Sequence, residues 1–158
     1  MEYNLWDKEG KWIKKNININ LINCLRFTCK NKAHMLFTGI IYPNIYLNNG
    51  EKYKPLEEEI NYKKAEEWAK KFFEEINDDK TNKKSNNVLK FTSSLYVNLD
   101  NVDKIESYKF EKSLKKNGAK IIFKNGQVIK TKLSNKKFLL LSNIFNQYNK
   151  TIEQEKTL

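Results

Sequence analysis

The chain reads as an α+β protein of two pseudo-repeated lobes, each an antiparallel β-sheet of hairpins and meanders followed by one C-terminal amphipathic α-helix. Three observations point there. Ile19-Asn20-Leu21-Ile22-Asn23-Cys24 is echoed by Val97-Asn98-Leu99-Asp100-Asn101-Val102, and Ile45-Tyr46-Leu47-Asn48-Asn49-Gly50 by Ile121-Ile122-Phe123-Lys124-Asn125-Gly126. After each Asn-Gly comes a capped helical pattern, from Asn61 in one half and from Ser134 in the other. The offsets of 78, 76 and 73 keep the blocks in order, as a duplicated unit requires.

The elements follow from local pattern. Tyr3-Asn4-Leu5-Trp6, a turn over Asp7-Lys8-Glu9-Gly10, and Trp12-Ile13 predict a hairpin. From Ile13, apolar Ile17, Ile19 and Leu21 alternate with Asn16, Asn18 and Asn20, the period of a half-buried strand. Met35 to Ile41 predicts a further strand, with Pro43 interrupting before Ile45-Tyr46-Leu47. Asn49-Gly50 and Asn125-Gly126 tolerate the positive φ of a two-residue type I′ turn. That turn would pair Leu47 with Lys52, Tyr46 with Tyr53, Phe123 with Val128 and Ile122 with Ile129, leaving the second hairpin apolar on both faces.

Asn61 caps a helix carrying Ala65, Trp68, Ala69, Phe72, Phe73 and Ile76 at helical spacing. Asp78 to Asn87 is polar and aperiodic, so the expected organisation is a first lobe over 1–77, a linker over 78–87, a second lobe over 88–150 and a frayed tail over 151–158. Strand-like stretches run through Val88 to Leu99 and through Ile105 and Tyr108, and Lys109 to Gly118 reads as a long basic turn. Ser134 then caps a helix holding Phe138, Leu141, Ile144, Phe145 and Tyr148.

Hydrophobic residues make up 39% of the 158, enough for a folded core, and no apolar run approaches the length that spans a bilayer. The N-terminus has no signal-peptide pattern, so a cytoplasmic protein is expected. The net charge is +11 and it is unevenly held: residues 1–78 have 13 cations and 12 anions, whereas residues 79–158 have 17 and 7. A polyanionic partner is the first reading of such a half. Of the 30 cations only Arg26 is arginine, and the abundance of Asn and Ile points to AT-rich codons as another source of the charge. Lysine contacts phosphate as a point charge without the planar fork of arginine, so recognition would be led by the backbone rather than by sequence.

No catalytic constellation emerges. Cys24, Cys29 and His34 have Cys-x4-Cys-x4-His spacing, but a closed zinc site needs a fourth ligand and no other Cys or His exists. Free thiols are expected, along with no metal and no cofactor. His34 is also the one imidazole available as a base, and there is no Gly-rich phosphate loop. A non-enzymatic protein is therefore expected.

The segment from Lys104 to Lys132 is the candidate site. Lys104, Lys109, Lys112, Lys115, Lys116, Lys120, Lys124, Lys130 and Lys132 surround Tyr108 and Phe110. Basic strands interleaved with aromatics suit a surface that tracks phosphates and stacks bases. The alternative is that the lysines are simply solvated and the two rings pack inward.

Val97 to Glu106, followed by Ile121-Ile122-Phe123-Lys124-Asn125-Gly126, resembles LytTR DNA-binding domains, which are strand-rich and reach DNA through loops. The duplicated plan of strands and helix is similar in architecture to PUR-type nucleic-acid-binding repeats. The expected partner is RNA, DNA or a host nucleoprotein complex, met through the basic second lobe, with no membrane partner. A chain of this character suits a phage or mobile element, and an anti-CRISPR or other anti-defence inhibitor is one concrete version. The alternatives are a protein-only interaction module, including a homodimer, and a DNA-binding transcriptional regulator.

Overall fold

Two antiparallel sheets and three α-helices organise the chain, an α+β architecture. The computed structural model describes residues 2–6, 12–55, 59–76, 87–111 and 117–157. Contacts divide the chain into two compact units, Met1–Asn101 and Val102–Leu158. The division falls at 101/102 rather than in the expected 78–87 linker, most of which lies outside the described residues.

In the first unit, β1 (Glu2–Trp6) and β2 (Trp12–Asn16) form the N-terminal hairpin, whose turn lies outside the described residues. A 3-10 turn over Ile19–Leu21 replaces the expected continuous strand, because the Asn18 side chain accepts a hydrogen bond from the Asn20 amide and folds the backbone back. β3 (Ile22–Thr28) follows. The stretch expected as a strand from Met35 is instead α1 (Lys32–Thr38). It is capped by Asn31, which accepts from the His34 amide, and ended by Gly39 at φ 71°. Local capping chemistry at both ends here overrides a short apolar run.

β4 (Ile40–Leu47) carries Pro43 within the strand, opposite Phe27, so Pro43 does not interrupt it. β5 (Lys52–Pro55) and a short β6 (Ile60–Asn61) pair with β4. Asn61 caps a 3-10 turn that runs into α2 (Ala65–Ile76). Then β7 (Val88–Thr92) and β8 (Leu95–Asn98), expected in a second lobe, join this first sheet: β8 pairs with β3, and the strand order is β2-β1-β5-β4-β3-β8-β7. Ala65, Ala69, Phe72, Phe73 and Ile76 of α2 pack with Leu25, Phe27, Ile45, Leu47, Tyr53 and Tyr96, an aromatic-rich core closed by Trp68 stacked on Phe72 at 5.3 Å.

The second unit is simpler. After a 3-10 turn over Leu99–Asn101 come β9 (Val102–Lys109), β10 (Asn117–Phe123) and β11 (Val128–Lys132), a meander in the order β11-β10-β9. α3 (Asn135–Thr157) starts at the Ser134 cap and continues through the segment expected to fray. Its Leu141 and Phe145 are buried, as are Ala119, Ile121, Phe123, Ile129 and Thr131 on one face of the meander, which α3 covers.

Both Asn-Gly hairpins turn differently from the two-residue expectation. The Gly50 amide donates to Leu47 O and the Gly126 amide to Phe123 O, with the glycines at φ 90° and 91°. Leu47 N–H and Phe123 N–H then donate to Glu51 O and Gln127 O, giving a three-residue loop with a left-handed glycine. The register moves by one: Ile121 faces Ile129, Ile122 faces Val128, Ile45 faces Tyr53 and Tyr46 faces Lys52. The second hairpin is therefore apolar on its buried face and mixed on the other, and Tyr46 and Tyr53 lie on opposite faces.

Asparagines hold the first sheet to its last hairpin. Asn98 is 1% exposed, and its Nδ2 donates to the carbonyls of Ile19 and Ile22, both at 3.0 Å. Asn101 Nδ2 donates to Asn20 O at 3.1 Å and Ile22 O at 2.8 Å, and Asn48 Nδ2 also reaches Asn20 O. Asn98→Ala would leave the Ile19 carbonyl and the Asp100 amide without this partner. It should cost about 2 to 3 kcal/mol in urea unfolding, whereas Asn49→Ala in an exposed turn should cost under about 1 kcal/mol. Both cysteines are free, and burial pushes the Cys24 thiol up to about 12, the Arg26 charge opposing it weakly. The folded state thus keeps a proton that the unfolded chain releases from about pH 9 upward, so this contribution to stability is lost between about pH 9 and 12. Unfolding midpoints taken across that range should fall less steeply in Cys24→Ala than in the unaltered chain.

Candidate nucleic-acid interface

The outer face of the three-stranded sheet follows from the period of two and the observed register. Lys104, Ile122 and Val128 form one cross-strand row, Glu106, Lys120 and Lys130 a second, and Tyr108, Gly118 and Lys132 a third. Phe110 follows directly after β9. Four of the expected lysines and both aromatics therefore meet on or beside one face, while Ile105, Ala119, Ile121 and Ile129 take the opposite, helix-covered one.

Gly118 is what allows the aromatic pair to sit there. A Cβ at this position would lie 2.5 Å from Phe110 Cε2 and hard against the Thr131 carbonyl. The missing side chain opens a slot that the Phe110 ring fills, edge to face with Tyr108 at 4.9 Å and 86°. Lys130 Nζ lies 4.5 Å from the Tyr108 centroid and Lys132 Nζ 5.7 Å from that of Phe110. Both rings are half-buried, and Lys104, Lys130 and Lys132 are exposed. Each ring thus presents a π surface with an ammonium held over it, an arrangement that attracts a planar ring bearing a phosphate.

The remaining expected site residues lie elsewhere. Lys109 falls on the other face by strand alternation, and Lys124 sits exposed in the hairpin turn. Lys112, Lys115 and Lys116 lie outside the described residues. Sequence reasoning missed Gly118, Ile122 and Val128 as members of the face, and it missed Glu106, whose carboxylate is 3.3 Å from Lys104 Nζ. The signal was available in the alternation of β10 and β11, but it needed the correct turn register to be read.

Charge concentrates in this unit: residues 102–158 hold 13 lysines and 5 acidic residues, a net +8 of the total +11. Among the described residues no group of three His, Cys, Asp or Glu side chains is placed to hold a metal ion, and no helix is long and apolar enough to cross a membrane. Comparison with protein-family models, with curated proteins and with solved structures finds no match.

Gly118→Ala should push the strand and the Phe110 ring apart. The expected loss is about 1 to 3 kcal/mol of stability in urea unfolding, against little change for Lys120→Ala on the same strand.

Proposed function

We propose that the chain is a non-enzymatic binding protein that takes single-stranded nucleic acid on the outer face of its second sheet. The single observation that carries this reading is the Tyr108/Phe110 pair seated over Gly118 with Lys130 and Lys132 above the rings. A base that displaces an ammonium from a ring gains the stacking surface, and the released lysine meets the phosphate beside it. A duplex hides its base faces and would offer phosphates alone, so single strands are the better fit. With one arginine in the whole chain, little discrimination among sequences is expected.

The two halves are read here as copies of one unit. In support, the 3-10 turns at Ile19–Leu21 and Leu99–Asn101 precede strands at an offset of 80, and the same Asn-Gly loop recurs at an offset of 76. Asn18 and Asn98 each accept from the amide two residues on. On this reading the second copy carries the charge and the aromatic pair, whereas Thr28 and Tyr42 stand in the first copy at the positions of Tyr108 and Gly118.

Exposed apolar side chains favour a second reading, a protein interface. Leu36 and Phe37 on α1 are 78% and 96% exposed, and Leu139, Leu140 and Ile144 line an open side of α3. Salt separates the two. Fluorescence polarisation with a short labelled single strand should show affinity falling with salt at a log–log slope of about −2 to −3, the value for four ammonium contacts. Tyr108→Ala should cost about 1 to 3 kcal/mol of binding, and Lys130→Glu with Lys132→Glu should abolish it. No binding at low salt, or binding indifferent to salt and to these changes, would refute this function.

A further inference from the structure

We propose that the chain self-associates through the free edge of β9, joining two three-stranded sheets into one of six strands. Among the described residues β9 pairs with β10 and no strand lies on its other side. In the first sheet the corresponding strand, β3, has that side filled by β8. The direction of the main-chain groups follows from the hairpin. Phe123 N–H donates to Gln127 O and Leu133 N–H to Asn117 O, so odd residues of β10 bond toward β11 and even ones toward β9. Lys104, Glu106 and Tyr108 are the β9 partners of Ile122, Lys120 and Gly118, and they turn their amides to β10. The amides and carbonyls of Ile105 and Ser107 therefore point off the edge, whereas Asp103 is the extra residue at the register shift between Ile122 and Phe123.

The side chains on that edge are complementary to themselves. A twofold axis through Ile105 sets two copies of β9 antiparallel, with residue 105 opposite 105 and Lys104 opposite Glu106 of the second copy, in the regular part of the strand that begins at Lys104. The Lys104–Glu106 contacts fall at positions without main-chain hydrogen bonds, where facing side chains approach most closely, and symmetry supplies them twice. Moving the axis one residue either way sets Lys104 against Lys104 or Glu106 against Glu106, which selects the register. Charged residues on an edge strand ordinarily repel another strand. Here Lys104 and Glu106, two apart with opposite charge, admit one strand, a second copy of their own. Half-buried Ile105 would meet its own counterpart on the helix-covered face.

The test is sedimentation velocity on the full-length, nuclease-treated protein over a concentration series at moderate salt, which keeps the outcome separate from nucleic-acid binding. A reversible dimer is expected. Lys104→Glu and Glu106→Lys should each weaken it roughly tenfold or more, since each sets like charges opposite one another twice. The double reversal, Lys104→Glu with Glu106→Lys, should restore it to within about threefold of the unaltered chain, because the pairing is rebuilt with the signs exchanged. Far-ultraviolet circular dichroism checks that each variant is folded. A monomer at every concentration, single variants as dimeric as the unaltered chain, or a folded double variant no better than the singles would each overturn the proposal.

Discussion

The docking of β8 onto the larger sheet goes with the way asparagine side chains meet the backbone polar groups of one tight turn. In the 3-10 turn at Ile19–Leu21 the Ile19 carbonyl accepts from the Ile22 amide and also from Asn98 Nδ2, while the Asn20 carbonyl accepts from the side-chain amides of Asn48 and Asn101. Two of those asparagines, Asn98 and Asn101, flank the end of β8 and the turn after it, so satisfying the carbonyls also docks β8 beside β3. The bond from Asn98 to the Ile22 carbonyl is buried, and a buried carbonyl without a partner costs more than the net gain of an ordinary hydrogen bond, which makes this placement specific. An asparagine-rich composition can look like codon habit, yet at these positions the amide is the working group.

The second sheet is held on the opposite principle. Its covered face is filled by aliphatic and aromatic side chains beneath α3, and its outer face is a compromise between charge and stacking. A sheet that exposes Ile122, Val128, Tyr108 and Phe110 would be sticky if those residues were contiguous and bare. Lysines placed among them keep the surface solvated, and two hold their ammoniums over the rings. The absence of one side chain, at Gly118, makes room for the Phe110 ring beside the strand, and the pair stands beneath the ammoniums of Lys130 and Lys132.

Much of this was legible in the chain, and the misreadings have physical causes. The N-terminal hairpin, the α2 stripe and the Ser134 cap were readable because pattern and capping chemistry agree. The segment around Met35 reads as strand by its apolar run, but Asn31 and Gly39 close a helix around it, and seven residues are too few for periodicity to arbitrate. The Asn-Gly pairs announced hairpins correctly, while the loop length, and with it the register, goes with hydrogen bonds that the Glu51 and Gln127 amides donate to the Asn49 and Asn125 side-chain oxygens. Lys104, Tyr108, Phe110, Lys120, Lys130 and Lys132 could be named from composition. That Lys120, Lys130 and Lys132 share one face follows from that register, while Lys104 and Tyr108 join it through the pairing of β9 with β10 and Lys109 falls on the other by alternation. The pairing of β8 with β3 had no local signature, since strand partnership across 70 residues is decided by tertiary fit.

That long-range pairing also sets an order of events during synthesis. β3 to α2 can emerge from the ribosome and begin to collapse, but the outer side of β3 has no partner until Asn98 and Asn101 have been made. At translation speeds of about 5 to 20 residues per second, the nascent chain therefore carries an unpaired strand edge for several seconds. A piece ending near residue 77 would keep that edge permanently and should be prone to aggregation, even though it contains most of the first core. The smaller unit, whose three strands are consecutive and joined by short connections, has no such wait, so the segment made last can be the first to reach its final form.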